Sequence, residues 1–286
     1  MTEILITKKN LVYDATMLSS LMSCPRFAEF RFDLNLVPIQ GKSVSLEMGS
    51  IVHKILEVYY KHIIQHFPRT LALTNAMLEG ERYANDSTEI VNCTPEDKAL
   101  ALKTAEEYFD FYKSDHWTPL EVEKVKGQLL YEDDEVRIIW KAKFDLVTDT
   151  NQGIYPVDHK TMKQRRDSLT LNNQFIGQCI LLGTRTMFIN KIGFQTSLKP
   201  SEKFTRVPIN YSLDRLNEWR DEILPYYAKL HLMYAEAGYY PPNFTHCENK
   251  WGFCMYKDIC EANRNMRSEI MNTEFKVGEP WDPSNE

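Results

Sequence analysis

Residues 135–148 alternate between apolar and polar side chains with the two-residue period of a β-strand. The apolar face carries Ile138, Trp140, Ala142 and Phe144, and the opposite face carries Lys141, Lys143 and Asp145. Residues 120–131 are also strand-like, and the polar run at 132–134 connects the two segments. The pattern predicts an antiparallel hairpin in which Asp145 points away from the apolar face.

Helical and strand-like segments surround this hairpin. Helices are expected at about 16–32, at about 47–65, where apolar residues recur at spacings of three and four, and from Thr94 to about 114, where Thr94, Pro95 and Asp97 form a helix start. Further strands are predicted at 154–160, 187–196 and 204–211, and further helices at about 171–185 and 213–237. This order predicts an α/β fold.

No repeat, low-complexity tract or long Gly/Ser linker occurs in the 286 residues, which predicts a single domain over 1–286. Within it we expect a helical N-terminal part at about 1–118 and a catalytic core at about 119–211. A C-terminal helix with a cysteine segment at about 212–265 and a flexible tail at 266–286 are expected to follow.

The net charge of −6 and the pI of about 5.7 argue against a broad basic surface that coats nucleic acid. Any DNA contact is therefore expected to be local, and the run Lys160, Lys163, Arg165 and Arg166 is a candidate, with a solvated turn as the alternative. No apolar run has the length of a signal peptide or a membrane span, so we expect a soluble, cytoplasmic protein without a membrane partner.

The triplet Asp158-His159-Lys160 ends the apolar strand at 154–160. Side chains two apart on a strand face the same way, so a metal-binding carboxylate stands beside an ammonium that can orient water or stabilise negative charge. Acid-x-Lys triplets also begin at positions 96, 248 and 274, so the triplet alone is weak evidence. Only the one at 158 follows a hairpin that presents a second carboxylate, Asp145; two surface charges at a strand end are the alternative.

The ordered motifs resemble those of RecB-type PD-(D/E)XK nucleases. The resemblance rests on residues 141–147 around Asp145, 157–161 around Asp158 and Lys160, 174–178, and the upstream Gly49-Ser-Ile-Val-His53. It implies a restriction-endonuclease-like core with a central mixed sheet flanked by helices. It also implies that Asp145, Asp158, His53 and the carbonyl of His159 bind Mg²⁺ or Mn²⁺, and that Lys160 assists the nucleophile.

Three further residues take roles from the same resemblance. Glu123 matches an additional acidic position that would support a second metal or position the first, although Glu121 lies on the same face of the predicted strand. Gln174 begins the helix motif that lies over the active site and contacts DNA or the catalytic lysine. Gln178 stands where the family has a tyrosine, and it is expected to contact DNA as part of the same motif.

Four of the six cysteines suggest a second metal site. Cys247, Cys254 and Cys260 lie within fourteen residues, and Cys24 lies near the N-terminus. In a reducing compartment such a group favours thiolate-metal chemistry over disulfides. The arrangement resembles the iron-sulfur staple of AddB-type helicase-nucleases and CRISPR-associated exonucleases, which implies a [4Fe-4S] cluster joining the N- and C-terminal segments. Zn²⁺ would also accept four thiolates; Cys179 is expected in the core and Cys93 in a loop.

The resemblance implies an exonuclease on single-stranded DNA or duplex ends that acts in recombination, repair or spacer acquisition. Two alternatives remain open, a DNA-binding subunit of a helicase-nuclease or integration complex without turnover, and a structure-specific endonuclease or nickase. The sequence has no Walker-type loop, so any unwinding would require a helicase partner.

Overall fold

The computed structural model describes residues 8–39, 43–162, 170–249 and 252–282. The strands are β1 (Lys9–Tyr13), β2 (Leu36–Pro38), β3 (Thr118–Glu132), β4 (Val136–Asp149), β5 (Ile154–Met162), β6 (Thr186–Gly193), β7 (Phe204–Asn210), β8 (Glu248–Asn249), β9 (Gly252–Phe253) and β10 (Phe275–Val277). The helices are α1 (Ala15–Ser23), α2 (Pro25–Ala28), α3 (Val44–Ile64), α4 (Arg69–Asp86), α5 (Pro95–Phe111), α6 (Asn173–Leu182), α7 (Pro200–Lys203), α8 (Leu213–Glu218), α9 (Leu224–Ala237), α10 (Lys257–Glu261) and α11 (Arg267–Glu274).

The described chain divides into two compact units. The first takes its residues from 1–40, 127–142 and 213–286, and the second from 41–126 and 143–212. Strands β3 and β4 pair with each other, as the hairpin prediction requires, and each strand contributes residues to both units.

The second unit is built on a mixed sheet. The end of β4 pairs antiparallel with β5, β5 pairs parallel with β6, and β6 pairs antiparallel with β7. Helices α3, α4 and α5 share one apolar cluster with the sheet residues Leu146, Val157 and Ile192. The predicted α/β fold with a mixed sheet and flanking helices is thus confirmed.

Helix α4 was not anticipated from the sequence. Its buried residues are small and recur every fourth position, at Ala72, Ala76, Gly80 and Ala84. A Cβ placed on Gly80 would lie 2.2 Å from Cγ1 of Ile55 in α3, so the two helices approach more closely there than a larger side chain allows. A stripe of small residues is a weaker sequence signal than a stripe of large ones, which is why the helix was missed.

In the first unit, the helix predicted at 16–32 is interrupted at Cys24. The backbone of Cys24 is extended, with φ −160° and ψ 108°, and α2 begins at Pro25. A proline disfavours helical backbone in the residue before it and has no N–H for the preceding turn. The interruption leaves Cys24 at a corner between two helices.

The tail expected at 266–286 contains regular structure. Residues 267–274 form α11, and β10 pairs antiparallel with β2. Phe275 is buried, and its ring stacks on Tyr256 at 5.3 Å, so apolar burial holds this segment. Within the described residues, no helix is both long and apolar enough to cross a membrane.

Candidate active site

Helix α3 brings His53 close to β5 of the sheet. A Cβ on Gly49 would lie 2.7 Å from Oγ1 of Thr161, so the helix crosses β5 at a position that only glycine fits without a shift. His53 stands one helical turn later, and its Nδ1 is 3.8 Å from Oδ2 of Asp145. Gly49 of the predicted motif therefore allows the helix to lie close to β5, and this close approach places His53 near Asp145.

His53, Glu123 and Asp145 form a three-residue group. One ligand atom from each lies within 4.8 Å of the other two, and among the described residues this is the group with that property. One nitrogen and two carboxylate oxygens are donors that Mg²⁺ and Mn²⁺ accept. The side chains present therefore fit a divalent cation.

Backbone geometry distinguishes Glu123 from Glu121. Glu123 has φ +51°, a left-handed conformation that costs a non-glycine residue about 1–2 kcal/mol. Glu121 forms an ion pair with Lys126 at 2.7 Å, whereas Glu123 joins the metal-ligand group and lies 2.6 Å from Nζ of Lys143. A strict strand alternation would give the two acids the same direction, so the sequence alone left them equivalent.

Asp158, Lys160 and Gln174 form the other part of the site. Nζ of Lys160 is 2.9 Å from Oδ2 of Asp158 and donates to Oε1 of Gln174 at 3.1 Å. Nε2 of Gln174 donates to Oδ1 of Asp158 at 2.6 Å. The amide of Gln174 thereby bridges the carboxylate and the ammonium, and it fixes the distance between them.

The charges of the site act on one another because the carboxylates of Asp145 and Asp158 are shielded from water. Burial and the neighbouring Asp158 raise the pKa of Asp145 to about 6, and His53 opposes the shift. Burial lowers the pKa of Lys160, but the carboxylates of Asp158 and Asp145 outweigh that effect and hold it above its ordinary value. Lys160 therefore carries its proton at neutral pH and is suited to stabilising negative charge.

The main chain of His159 connects the two parts of the site. Its N–H donates to Oδ2 of Asp145 at 2.8 Å. Its ring is buried, stacks on Tyr60 at 5.9 Å and lies 2.8 Å from the amide nitrogen of Asn190. Burial holds the pKa of His159 well below its usual range, and the nearby His53 and Arg206 lower it further, so the ring is neutral.

A buried chain of polar contacts continues from Asn190. Its amide donates to Oη of Tyr108 at 2.8 Å, and Arg206 donates to the same Oη at 3.2 Å and to Asp115 at 2.6 Å. The guanidinium of Arg206 also lies over the ring of Trp117 at 3.8 Å. These contacts could not be predicted from the sequence, because the residues come from α5, β6, β7 and the segment between α5 and β3 and form no local motif.

Of the residues predicted to contact DNA, Gln178 is described by the structure. Gln178 has no exposed surface, and its Nε2 donates to the carbonyl of Lys143 at 3.0 Å. A buried side chain cannot touch DNA in this conformation, so the role expected for Gln178 is corrected to one in packing. Lys163, Arg165 and Arg166 lie outside the described residues.

The four singled-out cysteines line one cavity in the first unit. Cys24, Cys247, Cys254 and Cys260 share its wall with aromatic residues that include Phe27. The N–H of Asn243 donates to Sγ of Cys24 at 3.3 Å. Burial raises the pKa of both Cys254 and Cys260, and nearby sulfurs raise it further. Apart from these four, Cys179 is fully buried and Cys93 is half-buried at a loop, as expected.

The family model of the PD-(D/E)XK nuclease superfamily matches residues 15–261. The chain belongs to this superfamily. Similar solved structures include a provisionally named exonuclease from Eubacterium rectale, which is 14% identical, with a TM-score of 0.50 and coverage of 91% of this chain and 92% of that chain. The structure of SSO0001 is 12% identical, with a TM-score of 0.37 and coverage of 78% and 98%. No curated protein matches the chain.

Family membership and fold together support a nuclease function. The Eubacterium rectale protein is too distant in sequence to transfer more than the fold. Lys143 is a residue of the candidate site to which the sequence pattern assigned no role. Lys143 shares a strand face with Asp145, and its contact with Glu123 depends on the backbone turn at that residue.

Proposed function

We propose that the protein is a metal-dependent deoxyribonuclease that hydrolyses phosphodiester bonds at the site formed by Asp145, Asp158 and Lys160. The observation that carries the proposal is the His53–Glu123–Asp145 group beside the Asp158–Lys160–Gln174 group, with Asp145 on β4 and Asp158 and Lys160 on the paired strand β5. Mg²⁺ or Mn²⁺, when bound, would supply a nucleophile at neutral pH and neutralise the phosphoryl oxygens.

In this proposal, His53, Asp145, Asp158 and the carbonyl of His159 hold the ion, with Glu123 as an additional ligand. The N–H of His159 holds Oδ2 of Asp145 at 2.8 Å, which limits how far that carboxylate can turn. Rigid ligands bind an ion with less loss of conformational entropy than mobile ones.

Lys160 would orient the attacking water or stabilise the charge that develops on the phosphate. Its pKa lies above the ordinary value, so it acts as a fixed positive charge and not as the base. Gln174 is proposed as the residue that positions Lys160, since its amide accepts from Nζ at 3.1 Å.

The substrate is proposed to be single-stranded DNA or duplex ends, with exonucleolytic release of nucleotides. The motif order of the RecB-like branch supports this preference, and the name of the Eubacterium rectale structural neighbour agrees with it. Lys163, Arg165 and Arg166 follow β5 directly in the sequence and are proposed as phosphate contacts. We assign the activity to recombination, repair or spacer acquisition, with a helicase or integration partner.

The cysteine-lined cavity is proposed to hold a [4Fe-4S] cluster on Cys24, Cys247, Cys254 and Cys260. Four sulfurs on one Zn²⁺ at about 2.3 Å would stand about 3.8 Å apart. Within the described chain, however, no three of these cysteine sulfurs lie within 4.8 Å of one another, which favours the larger cluster over zinc. Because Cys24 is more than 200 residues from the other three, the cluster would act as a structural staple.

Digestion of labelled DNA tests the nuclease proposal. Wild type and Lys160→Ala are incubated with end-labelled linear single strands, linear duplex and covalently closed circles in Mg²⁺ or Mn²⁺. We expect metal-dependent degradation of linear DNA by the wild type and its loss in the variant. Cleavage of closed circles would indicate an endonuclease instead. Absence of cleavage by folded, metal-replete protein would favour a binding subunit.

A further inference from the structure

Lys143 and Glu123 form an ion pair inside the metal-ligand group. Nζ of Lys143 is 2.6 Å from Oε2 of Glu123, and the side chains are 33% and 16% exposed, so the pair is partly shielded from water. Glu123 is also one of the three residues whose ligand atoms lie within 4.8 Å of one another. One carboxylate therefore faces both the candidate ion position and an ammonium.

The position of Lys143 is fixed from several directions. It lies two residues before Asp145 on β4 and so shares its face of the strand. Its carbonyl accepts from the buried amide of Gln178 in α6 at 3.0 Å, which ties its main chain to the helix. The left-handed backbone of Glu123, with φ +51°, brings the acid to the lysine from the other strand of the hairpin.

The ion pair between Lys143 and Glu123 affects the net charge of the site, and the net charge limits how many divalent ions can bind. The charged side chains are three carboxylates and two ammonium groups, a formal net of −1, from Glu123, Asp145, Asp158, Lys143 and Lys160. One divalent ion changes that net to +1, and a second would change it to +3. Sites that bind two divalent ions place them about 3.5–4 Å apart, which requires carboxylates that are free to bridge or flank both.

We infer that Lys143 takes the place of a second metal ion, so that the site binds one divalent ion with Lys143 neutralising the outer side of Glu123. The inference rests on the proposed function, because it concerns the same metal site. It assigns to Lys143 the role of a positioning and charge-balancing residue. It leaves Lys160 as the ammonium beside Asp158.

Calorimetric titration with Ca²⁺ tests this inference without DNA and without turnover. Ca²⁺ is a suitable probe because it takes oxygen ligands and is not held by thiolates. The titration compares the wild type, Lys143→Met, Lys143→Arg and the control Lys141→Met, which makes the same change two residues earlier on the strand. Circular dichroism and melting of each variant establish that it is folded.

We expect one Ca²⁺ per chain for the wild type, for Lys143→Arg and for Lys141→Met. Lys143→Met removes one positive charge from the site and should bind two Ca²⁺, the first about tenfold more tightly than the wild type does. A lysine with only a packing role would give weaker binding, or no change, when replaced by methionine. The double variant Glu123→Gln with Lys143→Met should return to one ion.

Two results would overturn the inference, binding of two ions by the wild type and binding of one ion by folded Lys143→Met with unchanged affinity. If the wild type meanwhile cleaves DNA with metal dependence, the inference fails and the proposed function stands. If the wild type binds no divalent ion and cleaves no substrate, both fail together. If Lys143→Met does not fold, one ion for Lys143→Arg supports the charge-balancing role, and two ions contradict it.

Discussion

The two units of the chain hold their candidate metal sites in different ways. The carboxylates of the second unit stand on β-strands, and a large apolar cluster shared with α3, α4 and α5 supports them. The four cysteines of the first unit stand at helix ends and in short turns, and the apolar cluster nearby is small, with Tyr256 and Ile259 at its centre. We therefore expect the carboxylate site of the second unit to fold without its ion. The cysteine site of the first unit should depend on its metal.

Removal of the divalent ion should give the largest expected effect, a loss of activity without a loss of stability. Treatment with EDTA should reduce DNA cleavage by at least about 10³-fold, because the proposed hydrolysis depends on a metal ion to supply a nucleophile at neutral pH. The melting temperature should change by no more than a few degrees, because the strands carrying the ligands are held by the core. Cleavage assays and thermal melts of the same EDTA-treated sample measure both effects, and activity that survives chelation would contradict metal dependence.

Replacement of one cysteine, in contrast, should lower the melting temperature strongly. Cys24→Ser removes a proposed cluster ligand and should lower the melting temperature by about 10 °C or more, with loss of iron and of the broad absorbance near ~400 nm. The control Cys93→Ser changes a half-buried thiol that lies outside the cavity. It should retain the wild-type melting temperature, the iron and the absorbance. Colourless wild-type protein with one bound zinc would show that the cavity holds a different metal.

The buried polar chain under His159 should affect stability and activity together. Asn190→Leu removes the amide that donates to Tyr108 and lies 2.8 Å from Nδ1 of His159, so the buried His159 ring loses that partner at a cost of about 1–3 kcal/mol. Cleavage should fall about 10-fold as the main chain at 159 loses its support. The control Asn210→Ala, an exposed residue on β7, should change the free energy of unfolding by less than about 1 kcal/mol.

A smaller effect is expected on the pH dependence of the free energy of unfolding of the metal-free protein. The pKa of Asp145 is raised to about 6 by burial, so its ionised form destabilises the fold as the pH rises from about 4 through 6. Asp145→Asn should therefore stabilise the EDTA-treated protein at pH 7.5 by about 1–2 kcal/mol, less than the full shift because the side chain is 15% exposed. The gain should disappear near pH 4.

Urea unfolding at the two pH values measures this difference, and Asp134→Asn, at an exposed acid in the hairpin connection, serves as the control. A variant that is less stable than the wild type at pH 7.5 would show that Asp145 supports the fold even without an ion.

The sequence predicted the strands that carry the site better than the contacts between side chains. The alternation around Asp145 defined β4, and the apolar run before Asp158 defined β5, because both patterns are local. The ring stacking of His159 and the link from Asn190 to Tyr108 could not be predicted, because residues 82 positions apart meet only after the sheet and helices assemble.

Backbone conformation is the other reason why the structure differs from the sequence predictions. The left-handed turn at Glu123 decides which of two acids enters the site, and the extended backbone at Cys24 divides one predicted helix into two. Pro25 was a usable signal for the second, since proline restricts the residue before it. No glycine or proline lies within three residues of Glu123 to reveal the left-handed turn there.

The most direct test of the proposed hydrolytic site is to measure Mn²⁺ binding and cleavage of end-labelled single-stranded DNA on the same samples of wild type, Asp158→Asn and the control Asp149→Asn. Asp158 is fully buried between Lys160 and Gln174, and asparagine keeps its shape while removing its charge. We expect folded Asp158→Asn to lose at least about 10³-fold in cleavage rate and to bind Mn²⁺ more weakly, with the control unchanged. Cleavage by Asp158→Asn at the wild-type rate would contradict the assignment of the catalytic site.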